Sequence, residues 1–139
     1  MKFYNNNFRR KALAVGALTM LLAIAQGAIA GQYFSEVEFP YIYSSGETHR
    51  VNIPFSLDAP DRVKVKNVSW SWTPSRQGYT VKLCQMATNI CKDVSLQSSG
   101  SSSGFGRGDA ALPFYFLVTS RGRPFNPEWG LKGSLTVNW

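Results

Sequence analysis

The stretch that decides the fold is residues 79–96, YTVKLCQMATNICKDVSL, which contains both cysteines of the chain. Apolar and polar residues alternate on either side of its centre, as is typical of β-strands. An antiparallel hairpin with Cys84 opposite Cys91 matches almost every facing pair in charge, hydroxyl or apolar character. The matched pairs are Lys82 with Asp93, Val81 with Val94, Thr80 with Ser95 and Tyr79 with Leu96, and only Leu83 with Lys92 is mismatched. Cross-strand pairs of these kinds stabilise a sheet, so the stretch predicts a β-hairpin.

Alternation continues outward from the hairpin in both directions. It runs through residues 33–39 and 51–57, and through 133–139, where Leu135, Val137 and Trp139 share the core-facing side. Pro54 lacks a backbone donor and therefore confines the strand over 51–57 to a sheet edge or an unpaired position. Residues 112–119 are apolar on both faces, which suits a central strand covered on both faces or a strand that exposes Tyr115 and Leu117.

Two further segments are less regular. In residues 63–72 the apolar positions change face between Val65 and Val68, which requires a bulge or break near Lys66. Residues 97–109 are rich in serine and glycine, with Phe105 as the only large apolar side chain, and predict a mobile loop. Together these patterns predict an all-β protein, a small antiparallel β-sandwich of about seven strands.

The N-terminal residues have the three regions of a secretory signal. Lys2, Arg9, Arg10 and Lys11 precede an apolar run over 12–24, and small residues including Ala28 and Ala30 follow. A membrane anchor is the alternative, but the run falls short of the roughly 18 apolar residues that a span requires. We therefore expect a signal peptide over 1–30, cleavage after Ala30, export to the periplasm, no membrane span in the mature form, and one domain over 31–139.

Removal of the signal would lower the net charge of the protein, and export would place its cysteines in an oxidising compartment. Without the signal, 11 basic residues face 8 acidic ones, a net charge of +3 with no basic run, which gives little support for nucleic-acid binding. Two cysteines in an oxidising compartment are normally paired, so we expect a Cys84–Cys91 disulfide across the hairpin. A redox or metal pair is the alternative, but the spacing is too long for the former and other zinc ligands are scarce.

The sequence offers no catalytic residues, metal ligands or cofactor site. His49 is the one histidine, and general-base catalysis needs a partner and a nucleophile positioned beside it. We therefore expect a non-enzymatic protein in which His49 is an ordinary surface or turn residue.

Two groups of residues are candidates for binding. The first is a proline-bounded loop that combines guanidinium and aromatic groups, Arg121, Arg123, Phe125 and Trp129; its alternative role is a rigid connection that caps the core. The second is the pair Trp70 and Trp72 on one strand face, which would form an aromatic platform if exposed and part of the core if buried.

The order of short motifs from Gly78 onward resembles the flagellar protein FlhE family. The matching segments are VKLC (81–84), CKDV (91–94), SGF (103–105), LPFYF (112–116), GRP (122–124) and LTVNW (135–139). The resemblance implies a periplasmic β-sandwich without enzymatic activity, associated with the flagellar type III export apparatus. Such a protein would limit proton leak through the export gate and assist flagellar assembly and swarming, with export-gate or rod proteins as partners. A small envelope carbohydrate-binding module is the alternative, because the chain is rich in tryptophan and tyrosine.

Overall fold

The structure is a computed structural model that describes residues 30–74, 78–121 and 129–139. Within these ranges there is no helix, and eight antiparallel strands form two sheets. The strands are β1 (Gln32–Glu38), β2 (Thr48–Asn52), β3 (Asn67–Trp72), β4 (Tyr79–Gln85), β5 (Ile90–Asp93), β6 (Ser99–Ser102), β7 (Phe114–Ser120) and β8 (Lys132–Asn138).

The two sheets each contain four strands, in the orders β1-β8-β3-β6 and β2-β7-β4-β5. They pack face to face around one core, where the rings of Phe39 and Phe116 meet edge to face with their centroids 5.5 Å apart. A side chain at Gly133 of β8 would collide with both rings, since a Cβ there would lie 2.7 Å from Phe116. The predicted all-β sandwich is therefore confirmed.

The predicted hairpin is also confirmed. β4 and β5 pair with Cys84 opposite Cys91, Lys82 opposite Asp93 and Leu83 opposite Lys92, and the Cys84–Cys91 disulfide is present. Beyond Asp93 the chain leaves the ladder: Val94 still donates its N–H to Val81 O, but Leu96 is fully exposed. The predicted pairing of Tyr79 with Leu96 is wrong because Ser95 turns back to contact Val81 with its hydroxyl.

The composition of residues 97–109 predicts a mobile loop, but part of this segment forms a strand. Ser99–Ser102 forms β6 at the edge of the first sheet, paired with β3. Phe105 is buried, and its ring meets Phe114 at 5.4 Å between centroids. Gly100 is required here, because a Cβ would come within 2.8 Å of the Trp70 ring that packs over it.

The remaining strand predictions hold with local differences. β7 lies between β2 and β4, and Trp139, which directly follows β8, is buried, as expected. Lys64 makes an isolated bridge to Asp109 before β3 begins, so Val65 and Val68 both reach the core across the predicted break. β2 is an edge strand that ends before Pro54, which leaves Phe55 and Leu57 exposed rather than core-facing.

Candidate interaction surface

Arg121 lies where β7 ends, and the neighbouring strand β4 fixes its position. Its backbone N–H donates to Gly78 O at 3.2 Å, and its Nε donates to Thr80 Oγ1 at 2.5 Å. The side chain is exposed and borders a cleft of about 390 Å³ whose other walls are Asp93, Ser95, Leu96 and Gln97. Arg121 thus presents a charged group that is held by the sheet at one end of the sandwich.

The carboxylate in this cleft is already engaged by its own turn. Asp93 accepts hydrogen bonds from Ser95 Oγ at 2.5 Å and Ser95 N at 2.9 Å. These bonds, with smaller contributions from Lys82 and Arg121, hold the pKa of Asp93 below its ordinary value. Asp93 is consequently an anion fixed by the turn rather than a proton donor.

Exposed aromatic side chains lie at the same end of the molecule, because Ser120, next to Arg121, donates its Oγ to the carbonyl of Ser44, next to Tyr43. Phe39 N donates to Leu131 O at 2.8 Å. Tyr41 lies two residues after Phe39, and Trp129 lies two residues before Leu131. Trp129 is 70% exposed, and Tyr41 stacks on the exposed Tyr43 with centroids 6.1 Å apart. We call Tyr41, Tyr43, Leu96, Arg121 and Trp129 the loop-end surface.

The two tyrosines were not among the residues predicted from the sequence. The signal was nevertheless present, because Tyr41 and Tyr43 flank Ile42 in an alternating pattern. Ile42 is fully buried, and its neighbours therefore point to solvent. Of the predicted loop, the structure places Arg121 and Trp129 on this surface, whereas Arg123 and Phe125 lie outside the described residues.

Trp70 and Trp72 do not form an exposed platform. Both are buried in the core, at 3% and 6% exposure. Their indole N–H groups donate to the turn after β5: Trp70 to Gln97 O at 3.0 Å, and Trp72 to Val94 O at 3.2 Å and Gln97 O at 3.3 Å. The core alternative is correct, because the turn covers the indoles and uses their only donors.

His49 is half-buried on β2, with Nε2 3.4 Å from the Glu47 carboxylate. No group of three or more His, Cys, Asp or Glu side chains in the described ranges could hold a metal ion. Those ranges also lack any helix with the length and hydrophobicity that a membrane span requires. The arrangement on the loop-end surface suits binding by guanidinium and aromatic groups.

Comparison with known proteins finds similarity of structure only. No protein-family model matches the chain, and no curated protein matches it in sequence. The fold superimposes on a solved structure entitled "Crystal Structure of FLHE" with a TM-score of 0.61 and 18% sequence identity. The match covers 79% of this chain and 96% of that one. The chain therefore has an FlhE-like fold, as the order of its motifs predicts.

Proposed function

We propose that this protein is a periplasmic, non-enzymatic accessory of the flagellar type III export apparatus. In this role it limits proton leak through the export gate and assists flagellar assembly and swarming, and its partners are export-gate or rod proteins. The likeness to the FlhE crystal structure over 96% of that chain carries the proposal. The order of motifs from residues 81 to 139 supports it independently of the fold.

The disulfide supports a periplasmic location. Disulfides persist in oxidising compartments and are rare in the cytosol. Cys91 is exposed at the molecular surface, where cytosolic reductants would have access to it. A secretory signal over residues 1–30 would deliver the chain to such a compartment.

The loop-end surface supports a binding role. Arginine, tyrosine and tryptophan are the residues most enriched among those that dominate binding energy at interfaces. Here the sheet holds Arg121 in place, and the stacked tyrosines restrict each other, so less conformational entropy is lost on binding. The carbohydrate-module alternative loses Trp70 and Trp72 as a stacking platform, because both are buried.

Deletion of the gene in its host tests the proposal. We expect slower swarming, altered export of flagellar substrates and a lower cytoplasmic pH in acidic medium. Plasmid-borne wild type and the Leu57→Ala variant, which alters an exposed residue away from the loop-end surface, should restore all three. The Tyr41→Ala/Arg121→Ala/Trp129→Ala variant should be exported and folded but should not restore them.

Two outcomes would contradict this function. Normal swarming, export and cytoplasmic pH in the deletion strain would exclude the flagellar role. If the purified protein then bound a cell-wall glycan tightly, the carbohydrate-binding alternative would replace it.

A further inference from the structure

Strand β1 forms an edge of the first sheet, and half of its backbone groups have no partner in the described residues. Gly31 and Trp139 exchange both backbone hydrogen bonds, at 3.1 and 3.0 Å, which fixes the alternation of the ladder between β1 and β8. Odd-numbered residues of β1 therefore bond to β8, and even-numbered residues point their N–H and C=O groups away from it. The residues with outward groups are Gln32, Phe34, Glu36 and Glu38. No described residue hydrogen-bonds to these groups.

This edge lacks the features with which proteins usually block an exposed strand. The pairing of β1 with β8 is continuous over all seven residues, so no bulge twists the edge away. Residues 32–38 contain no proline and no lysine, and none of them has a positive φ. The other edge strands, β2, β5 and β6, have only five, four and four residues. β1 is therefore the longest open edge in the described part of the sandwich.

Apolar side chains are exposed beside the open backbone groups. Phe34, in the first half of the strand, is 64% exposed on the outer face of the sheet. On the core side of β1, Ser35 Oγ donates to Pro54 O, which places the chain after β2 next to this edge. Phe55, the next residue, is 45% exposed. A strand added to β1 would therefore cover apolar surface as well as backbone groups.

We propose that β1 pairs with β1 of a second copy of this chain, antiparallel and about a twofold axis at Phe34. The two first sheets, of four strands each, then form one continuous sheet. Phe34 faces its own equivalent, and Gln32 faces Glu36 of the second copy on either side of the axis. Each of these facing pairs exchanges two backbone hydrogen bonds, because all three residues point their backbone groups outward. The inference does not depend on the flagellar role.

The side chains on the outer face of β1 favour a second copy in this register. The Gln32 amide faces the carboxylate of Glu36, to which it can donate a hydrogen bond. The two copies of Glu36 start from backbone positions about 14 Å apart along the strands, and each keeps its own Lys132 at 3.1 Å. An axis at Glu36 would set two carboxylates directly opposite each other, and an axis at Ser35 would set Phe34 against a carboxylate. Only the axis at Phe34 pairs the apolar side chain with itself and keeps the like charges apart.

Sedimentation velocity of the purified, oxidised protein tests the proposal. We expect a monomer at low micromolar concentration and a dimer as the concentration rises, because so small an interface is weak. No larger species should form, since pairing about a twofold axis uses the β1 edge of both copies. In the dimer, the amide hydrogens of Phe34 and Glu36 should exchange with solvent more slowly than in the monomer.

Side-chain variants of the edge provide matched comparisons. Phe34→Lys sets two lysines against each other and should raise the dissociation constant about tenfold or more. Leu96→Lys adds the same charge at a fully exposed residue after β5 and should leave the constant unchanged. Gln32→Lys, opposite Glu36, should lower the constant about threefold, whereas Gln32→Glu should raise it about threefold.

A backbone variant separates strand pairing from contact between side chains. Gln32→Pro removes an outward N–H without removing a bond to β8, so it should weaken association while the far-ultraviolet spectrum stays that of wild type. A protein that remains monomeric up to millimolar concentration would overturn the proposal. Equal effects of Phe34→Lys and Leu96→Lys, or equal association of Gln32→Lys and Gln32→Glu, would overturn it as well.

Discussion

At the scale of single residues, the turn after β5 is attached to the first sheet by indole donors. Trp72 Nε1 donates to Val94 O and Gln97 O, and the ring is buried. Trp72→Phe removes this donor, whereas Val94 O keeps its bond from Gln97 N and Gln97 O keeps its bond from Trp70 Nε1, so we expect the free energy of unfolding to fall by about 1 kcal/mol. Trp129→Phe, at an exposed indole, should change it by less than about 0.5 kcal/mol. Urea denaturation of both variants measures the difference, and equal effects would contradict this role of Trp72.

The same turn has a carboxylate that makes its stability depend on pH. Hydrogen bonds from Ser95 lower the pKa of Asp93 in the folded state, so these bonds stabilise the fold above its ordinary pKa of 3.8. This contribution is lost as the pH falls from that value through the lowered one. Asp93→Asn should therefore be less stable than wild type at pH 7, and the difference should shrink at pH 3 and below. Because Asp93 is largely exposed, solvent keeps the effect small.

Denaturation curves at several pH values test this dependence. Asp61→Asn is the control, since Asp61 is exposed and its side chain makes no hydrogen bond within the described residues. A constant difference between wild type and Asp93→Asn from pH 7 to pH 3 would show that the carboxylate does not act through its charge.

At the scale of elements, the disulfide and the β4–β5 hairpin depend on each other. The bond joins residues seven apart, and closure of so short a loop contributes about 2–3 kcal/mol in the chain-entropy model. Reduction should lower the free energy of unfolding by this amount while the far-ultraviolet spectrum stays that of a β-sheet. Cys84→Ala/Cys91→Ala should match the reduced wild type and should not respond to reductant. Labelling of two thiols in denatured, unreduced protein would refute the bond.

The hairpin also shows which parts of a sheet can be predicted from one sequence. Its register follows from paired charges and cysteines, which are local signals, and the structure reproduces it from Lys82 to Gln85. β6 had no such signal, because its residues are serines and a glycine. Its place depends on Trp70, which packs over Gly100 from a strand about thirty residues earlier. A contact so distant along the chain leaves no periodic pattern in the short segment itself.

Only some residues of the loop-end surface could be predicted from the sequence. Arg121 and Trp129 stood out as residue types common in interfaces, and the structure brings them to one end of the sandwich with Tyr41 and Tyr43. The tyrosines were missed because their exposure follows from the burial of Ile42, which only the folded core reveals. The sequence does not show whether Trp70 and Trp72 are buried, because the residue pattern of a strand face is the same whether or not another sheet covers it.

At the scale of the whole molecule, the first residue after the predicted signal already pairs with the sheet. Gly31 N donates to Trp139 O at 3.1 Å, and Trp139 N donates to Gly31 O at 3.0 Å. A Cβ at Gly31 would lie 2.5 Å from the Trp139 ring, so glycine is needed at this position. Cleavage after Ala30 would therefore leave a chain whose first residue already pairs with its last. We expect the intact mass of the periplasmic protein to correspond to residues 31–139.

Two variants at the predicted cleavage site test this expectation. Ala30→Asp replaces the small residue at the cleavage site and should leave a longer, membrane-associated precursor in the cell. Ala30→Ser keeps a small residue and should be processed like wild type. Because residues 31–139 include both cysteines, the processed protein should also carry the Cys84–Cys91 bond, whereas chain retained in the cytoplasm should have free thiols. Recovery of an oxidised periplasmic protein that still begins at Met1 would refute the signal peptide, because the first thirty residues would then belong to the mature molecule.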